Sequence, residues 1–170
     1  LGDVYKRQCE GCPAGKYGDT VLGSSKDCKD CEPGKFSDSV GSTKCDPCGI
    51  GTYSPIKAAK TCRRCFPGKF SNATQMIECE NCKRGKFMLE YGANVCNTCS
   101  KGTFAKFPGQ PICTMCPAGK NGLIKGSKTD KDCNDCEPGK YSFAGAVKCR
   151  NTPPGSYTIN SGSTDFTPCE

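Results

Sequence analysis

The sequence lacks two residue types entirely and has few others that build a conventional core. Its 170 residues include no histidine and no tryptophan, and only 35% are hydrophobic. Without histidine, Ser-His-Asp and Cys-His catalysis and every histidine-based metal site are excluded. Apolar runs reach only a few residues, as at 143–147, which is too short to span a membrane. A single large hydrophobic core is therefore not expected.

Cysteine, glycine and proline take the place of the missing apolar residues. The chain holds 18 Cys, 21 Gly and 12 Pro, so more than one residue in ten is cysteine. That composition is typical of a disulfide scaffold. The net charge is +7, and dispersed lysines that keep a poorly buried protein in solution explain it better than an acidic partner does.

The cysteines form a tandem repeat. Sixteen of them stand in eight C-x-x-C pairs, and the first cysteine recurs every 17 residues through the middle of the chain. A repeat at fixed period predicts an array of similar small units. The pairs are at 9/12, 28/31, 45/48, 62/65, 79/82, 96/99, 113/116 and 133/136, which leaves Cys149 and Cys169.

A glycine and an aromatic residue follow each pair at fixed offsets. The glycine stands three residues after the second cysteine, where a tight turn needs φ > 0, and Pro33-Gly34 and Pro138-Gly139 fit type II turns. A second glycine often precedes the returning cysteine. Each unit is therefore predicted to be a short β-hairpin that buries too little to fold alone. The aromatic residues are Tyr17, Phe36, Tyr53, Phe70, Phe87, Phe104, Tyr141 and Tyr157, with Asn121 as the exception.

Structural disulfides explain the paired cysteines better than zinc or redox chemistry. Zinc would use two pairs per site, so alternate linkers should differ, yet all carry the same glycine. A redox-active C-x-x-C usually appears once, at a helix N-terminus. Disulfides in an oxidising compartment remain, and no metal and no cofactor are predicted.

The C-terminal units favour one bridge order. Two expected cysteines are missing together, at Thr152 and Phe166, as if one bridge had been lost. In the rival interlocked order, 9–28 with 12–31, Cys149 and Cys169 would have to pair with each other. In the preferred sequential order, Cys9 and Cys169 would bond to units outside this segment. The preferred bridges are Cys12–Cys28, Cys31–Cys45, Cys48–Cys62, Cys65–Cys79, Cys82–Cys96, Cys99–Cys113, Cys116–Cys133 and Cys136–Cys149.

The motif C-x-x-C-x-x-G-[KT]-[YF]-S resembles two related extracellular repeats. One is the ephrin-receptor-like cysteine-rich repeat, and the other is the smallest single-disulfide module of tumour-necrosis-factor receptors. The resemblance covers residues 9–169 and implies an elongated extracellular rod. It also implies that the cysteine before the Gly-aromatic turn pairs with the next cysteine, in agreement with the sequential order. The larger two-disulfide modules of those receptors are missing, which favours a stalk or fibre.

These observations predict a small disulfide-rich repeat protein, an elongated rod of tandem short β-hairpins that is mostly irregular, with little or no helix. Residues 1–8 do not fit the repeat and are a linker or an artefact. Residues 9–151 are single-disulfide repeats of about 17 residues. Residues 152–170 are a degenerate repeat without its bridge that continues beyond the segment.

Two further features bear on partners. Asn72-Ala73-Thr74 is the standard acceptor sequence for N-glycosylation. A row of lysines after the turn glycines offers a stripe for acidic glycans, although a solvated face is the better interpretation. The aromatic residues are expected to pack over disulfides rather than to bind sugars. The lysines are Lys16, Lys35, Lys69, Lys86, Lys120 and Lys140.

The function predicted from the sequence is non-catalytic. It is an extracellular structural repeat module of a large cell-surface or filament-forming glycoprotein in the secretory pathway. Its expected partners are other protein chains, either copies of itself or co-assembling filament and surface proteins, with acidic glycans as a further class. Nucleic acid and direct membrane insertion of this segment are not expected. The alternative is a receptor or adhesion ectodomain that binds a protein ligand.

Overall fold

The computed structural model describes residues 11–18 and 28–170. Regular structure in these residues consists of two-residue strands and one short 3-10 turn at Asp130–Asp132. The strands are β1 (Lys16–Tyr17), β2 (Lys29–Asp30), β3 (Lys35–Phe36), β4 (Asp46–Pro47), β5 (Thr52–Tyr53), β6 (Arg63–Arg64), β7 (Lys69–Phe70), β8 (Glu80–Asn81), β9 (Lys86–Phe87), β10 (Asn97–Thr98), β11 (Thr103–Phe104), β12 (Thr114–Met115), β13 (Lys120–Asn121), β14 (Asn134–Asp135), β15 (Lys140–Tyr141), β16 (Arg150–Asn151), β17 (Ser156–Tyr157) and β18 (Thr167–Pro168).

Consecutive strands pair into hairpins. β1 joins β2, β3 joins β4, and so on to β17 with β18, which gives nine two-stranded sheets in the described residues. The first strand of each hairpin carries the aromatic position, and the second lies between the two cysteines of a pair, so that Tyr53 faces Arg63. Such hairpins are marginal alone. The prediction of a small disulfide-rich repeat protein with short hairpins and little helix is confirmed.

The turn before each first strand has the predicted hydrogen bond. The Lys35 N–H donates to the Glu32 carbonyl over 3.0 Å, and the Lys140 N–H donates to Glu137 over 3.1 Å. Between them, Gly34 and Gly139 have φ of 82° and 78°. A positive φ at the third turn residue defines type II, which explains why glycine recurs there.

Contacts divide the chain into two compact units, one of residues 1–80 and 90–95 and one of residues 81–89 and 96–170. Within each unit, neighbouring hairpins are joined by backbone hydrogen bonds. In the first unit the Gly51 N–H donates to the Ser71 carbonyl of the next hairpin over 2.8 Å. In the second unit the Gly119 N–H donates in the same way to Ser142 over 2.9 Å. Backbone N–H groups of one hairpin therefore find their hydrogen-bond acceptors in the neighbouring hairpin, as in other repeat proteins.

A second set of bonds reaches from each loop back to the preceding hairpin. The Gly92 N–H donates to the Cys65 carbonyl over 2.8 Å, and the Gly109 N–H donates to Cys82 over 2.8 Å. The loop glycines have positive φ, 76° at Gly92 and 75° at Gly109. The second glycine of the repeat is thus explained by a left-handed loop residue whose amide closes the contact between hairpins.

Two hairpins use a residue other than glycine at this loop position. Ala58 and Gln75 have φ of 53° and 64°, a region that costs an L-residue about 1–2 kcal/mol. We expect Ala58→Gly to stabilise hairpin 48–62 by about 1 kcal/mol, since the unfolded-state entropy of glycine offsets part of the gain. Ala93→Gly, one residue beyond Gly92, is the control and should destabilise. Hydrogen exchange of the Ala58 and Ala93 regions measures both, and a loss of protection in both variants would contradict the strain argument.

The core is a row of disulfides and not a layer of aliphatic side chains. Most second cysteines of the pairs are fully buried, Cys31, Cys48 and Cys65 among them. Phe104 is 7% exposed and clusters with Cys116 and Cys133, which shows the predicted packing of an aromatic ring on a bridge. The serine after the aromatic position is also buried, at Ser37, Ser54, Ser71 and Ser142.

The last hairpin forms without a bridge. Thr152 and Phe166 occupy the two positions where cysteines are missing, yet β17 and β18 still pair. The Phe166 ring packs edge-on against Tyr141 of the preceding hairpin, with 5.1 Å between ring centroids. At the position of the missing disulfide, Phe166 therefore contributes an aromatic contact to the preceding hairpin.

The long loop of hairpin 116–133 has its own anchor. The backbone N–H groups of Lys128 and Thr129 donate to the Asp132 carboxylate over 2.7 and 3.0 Å. These bonds lower the pKa of Asp132 below its ordinary value. The side chain thus closes the loop at neutral pH and releases it only when the medium becomes acid enough to protonate it.

Candidate functional site

The cysteines are bridged in sequential order. Among the described residues the bonds are Cys12–Cys28, Cys31–Cys45, Cys48–Cys62, Cys65–Cys79, Cys82–Cys96, Cys99–Cys113, Cys116–Cys133 and Cys136–Cys149. Their Cα separations lie between 5.5 and 5.8 Å, which is ordinary bridge geometry. The interlocked order is not the one found, because Cys12 is bonded to Cys28 and not to Cys31. Each bridge closes one hairpin, so the covalent clamps act unit by unit.

The first and last cysteines of the chain, Cys9 and Cys169, have no partner within this segment in the predicted bridge order. Cys169 is exposed and unbridged, and Cys9 lies outside the described residues. That both bond to units beyond this segment stays a prediction. Within residues 11–18 and 28–170, no group of three or more acidic, cysteine or histidine side chains is placed to hold a metal ion. The bridged sulfurs are also unable to serve as thiolate ligands or redox nucleophiles.

The first unit has a groove of about 470 Å³ lined mainly by hairpins 48–62 and 65–79, with Pro33 of hairpin 31–45, and it is here called the aromatic groove. Its walls combine aromatic rings and prolines with one basic and one acidic side chain. Phe66 is 52% exposed, and its ring meets Tyr91 edge-on at 5.7 Å. The lining residues are Pro33, Tyr53, Pro55, Phe66, Lys69, Ile77, Glu78 and Cys79.

The second unit has a groove of about 370 Å³ at the corresponding place between hairpins 116–133 and 136–149, here called the polar groove. Asn121 takes the position of the aromatic residue and donates its amide N–H to the Val147 carbonyl over 3.3 Å. The same backbone therefore presents different side chains in different units. The lining residues are Asn121, Leu123, Asn134, Asp135, Glu137, Lys140, Lys148 and Cys149.

The predicted lysine stripe is partly neutralised. Lys16 pairs with Asp30 over 3.0 Å and Lys120 pairs with Asp135 over 2.7 Å, each across its own hairpin. Lys140 pairs with Glu137 over 2.9 Å. Half of the six lysines thus have carboxylate partners, which favours a solvated, structural face over a continuous anion-binding stripe.

Exposed apolar side chains on the hairpin loops were not foreseen from the sequence. They occur at similar loop positions in most hairpins, and the signal that would have located them is the large apolar residue two to four positions after most of the aromatic positions. Such residues mark contact surfaces when they recur together. They are Val40, Ile56, Leu89, Tyr91, Phe107, Ile124, Phe143 and Ile159, with exposed fractions from 53% to 73%.

A comparison with family models identifies part of the array. Residues 85–133 match the family described as tyrosine-protein kinase ephrin type A/B receptor-like. The family is a receptor ectodomain repeat and not a catalytic one. A search of curated proteins finds no match to the chain.

The location follows from the same findings. Structural disulfides persist in oxidising compartments, and the matched repeat is an extracellular one. In the described part of the chain, no helix has the length and apolar character needed to cross a membrane. Residues 85–133 thus match an ephrin-receptor-like repeat, and the tandem bridged hairpins of the described residues fit a cysteine-rich repeat of the ephrin-receptor-like and tumour-necrosis-factor-receptor-like kind.

Proposed function

We propose that this array is a non-catalytic structural module of a large cell-surface or filament-forming glycoprotein. The observation that carries the proposal is the double joining of the hairpins. All hairpins but the last are closed by their own disulfide, and neighbouring hairpins are joined by backbone hydrogen bonds, as from Gly34 to Ser54 and from Gly102 to Gly122. Pulling the ends apart would load covalent bridges and many short backbone bonds together, so the array would keep its length under tension.

We further propose that the segment packs side by side with other chains, either copies of itself or co-assembling filament and surface proteins. The exposed loop side chains, such as Phe107 and Ile124, recur from hairpin to hairpin. Weak contacts that repeat along two chains add through multivalency. These loop residues are better candidate contacts than the half-buried aromatics and paired lysines that follow the turn glycines.

The test is imaging and sedimentation of residues 9–170 with flanking repeats, beside native material. Laterally associated filaments or a surface layer would support the proposal. Phe107→Ser with Ile124→Ser should weaken association, whereas Lys101→Ser with Lys125→Ser is the matched loop control. Monomeric chains at high concentration, together with isolated chains in native material, would reject lateral packing.

That outcome would favour the alternative function, a receptor or adhesion ectodomain that binds a protein ligand. The aromatic groove supports this alternative, because Phe66 and Ile77 are each more than half exposed beside Tyr53. The family description, which names receptors, supports it as well. A discrete ligand captured by the soluble array, and lost with Ile77→Ser, would distinguish it from a purely structural role.

Glycosylation is a separate prediction about the same module. Asn72 is exposed in hairpin 65–79, so the acceptor amide is open to the transferase in the secretory pathway. We expect material secreted from eukaryotic cells to carry a glycan on Asn72 and Asn72→Gln to lose that mass. Mass spectrometry of the tryptic peptide checks it, and a fully unmodified peptide would contradict it.

A further inference from the structure

The positive charge of the chain is concentrated in one stretch of the first unit. Residues 48–77 contain five basic residues and not a single Asp or Glu, although the whole chain has 24 basic and 17 acidic residues. This stretch comprises hairpin 48–62 and most of hairpin 65–79, the two hairpins that supply most of the lining of the aromatic groove. The basic residues are Lys57, Lys60, Arg63, Arg64 and Lys69.

Most of these cations are available to a ligand. Lys57 is held by Glu32 at 3.5 Å. Among the residues that the structure describes, Lys60, Arg63 and Arg64 have no ion pair or side-chain hydrogen bond, and all three are exposed. They differ in this respect from Lys16, Lys120 and Lys140 of the lysine stripe. Their positive charges are therefore not neutralised by ion pairs with other side chains.

Arg63 and Lys69 are the cations that the structure places at the aromatic groove. Arg63 is directly opposite Tyr53 across β5 and β6, so their Cβ atoms are roughly 5 Å apart. Tyr53 and Lys69 both line the groove. The stem of Arg64 passes over Gly92, with its Cδ 3.5 Å from where a Cβ would stand on that glycine. Glu78 supplies the carboxylate among the lining residues. It follows Ile77 directly and is near the C-terminal end of hairpin 65–79.

We propose that this basic-aromatic surface, made of Arg63 and Lys69 with Tyr53 and Phe66 and extended by the neighbouring free cations Lys60 and Arg64, binds a sulfated polysaccharide. Sulfate oxygens match the planar fork of arginine, which binds oxyanions with two parallel hydrogen bonds. Clusters of basic residues are typical of heparin sites. The apolar faces of the sugar rings can cover the exposed ring of Phe66 and the half-buried ring of Tyr53, and an acidic peptide without rings would not make these contacts. The extracellular location places the surface where such polymers occur.

The inference does not rest on the structural role proposed above, and it can fail while that role stands. The probe is a heparin hexasaccharide added to the full, oxidised chain in about 0.15 M salt, a concentration that screens weak long-range attraction. Lys60→Gln with Arg63→Gln and Arg64→Gln removes three charges at the site. Lys16→Gln with Lys120→Gln and Lys140→Gln removes three charges elsewhere, so both triple variants have the same net charge.

We expect the first triple variant to bind heparin about tenfold or more weakly, and the slope of log affinity against log salt to fall by about 1 for each cation removed. The second triple variant should stay within about twofold of the parent chain, since its lysines already have carboxylate partners. Equal losses in both variants would show attraction to net charge alone and would overturn the proposal. Failure of the parent chain to bind would overturn it as well.

A variant that keeps every charge tests the aromatic half of the site and serves if the triple variant does not fold. Phe66→Ser should weaken heparin binding about threefold to tenfold, because the aromatic ring adds binding free energy through its contact with the sugar, independently of the charged groups. Bridge mapping without reduction confirms that each variant is folded. Heparin binding unchanged in Phe66→Ser, or a poly-glutamate peptide that binds as tightly as heparin, would reject a polysaccharide site.

Discussion

Replacing Gly51 with alanine is expected to destabilise hairpin 48–62 by about 3 kcal/mol or more. Two effects combine at this position. The φ of 76° is unfavourable for any residue with a Cβ. A Cβ would also press against the Gly92 carbonyl of the hairpin two further along, whose carbon lies 2.8 Å from the Cβ position. Because that carbonyl belongs to backbone held by the Cys65 carbonyl, it has little room to move.

Two other glycines separate the two effects. Gly139 has nearly the same φ, 78°, but nothing lies within 4 Å of its Cβ position. Gly139→Ala should therefore cost only the conformational part, about 1–2 kcal/mol. Gly49→Ala, in the same turn as Gly51 and with open space around it, should cost close to nothing. Hydrogen exchange of the amides of residues 51 and 54 and of residues 139 and 142 reads each hairpin separately. Equal losses for Gly51→Ala and Gly139→Ala would show that the contact with Gly92 is unimportant.

Much of this fold could be predicted from the sequence because its determinants are local. The turn glycine, the aromatic residue and the cysteine pair all act within one hairpin, and each appears at a fixed offset. The bridge order was also accessible, since the joint absence of cysteines at 152 and 166 identifies those positions as partners. That the turn glycines would have positive φ followed from the type II turn.

The contacts between hairpins could not be predicted in the same way. They are backbone hydrogen bonds, such as Ser54 N–H to the Met76 carbonyl, and a backbone bond places few demands on residue type. Only the small buried side chain at Ser37, Ser54, Ser71 and Ser142 hints that another hairpin packs there. The ion pairs of Lys16 and Lys120 could not be predicted either. Their partners follow 14 and 15 residues later in the sequence, and only the register of the paired strands places them opposite the lysines. The concentration of basic residues in 48–77 was visible in the sequence, but its significance depended on the groove beside it.

The second large effect is expected when a single bridge is removed. Cys65→Ala with Cys79→Ala should destabilise hairpin 65–79 by about 3–4 kcal/mol. The bridge closes a loop with a sequence separation of 14 residues, and Cys65 is fully buried, so a cavity adds to the loss of the cross-link. The Gly92 N–H bond to the Cys65 carbonyl should weaken too, and with it the exchange protection of that amide. The rate of limited proteolysis within residues 65–79, measured while all the other disulfides stay oxidised, reports the loss of stability.

The hairpin that lacks a bridge supplies the reverse experiment. Thr152→Cys with Phe166→Cys places cysteines where the repeat would have them, and β17 already pairs with β18, so the backbone is in register for the bond. The new bridge should stabilise this hairpin by about 3 kcal/mol, less about 1 kcal/mol for the lost contact between Phe166 and Tyr141. A net gain of about 2 kcal/mol, absent after reduction, is therefore expected from exchange and proteolysis of 152–170. The single variant Phe166→Ser, which loses the ring contact without gaining a bond, should make the hairpin more easily cleaved. If the double-cysteine variant oxidises correctly at these two sites and gains nothing, the bridges would serve chiefly to direct folding, and the mechanical role assigned to them would have to rest on the backbone hydrogen bonds alone.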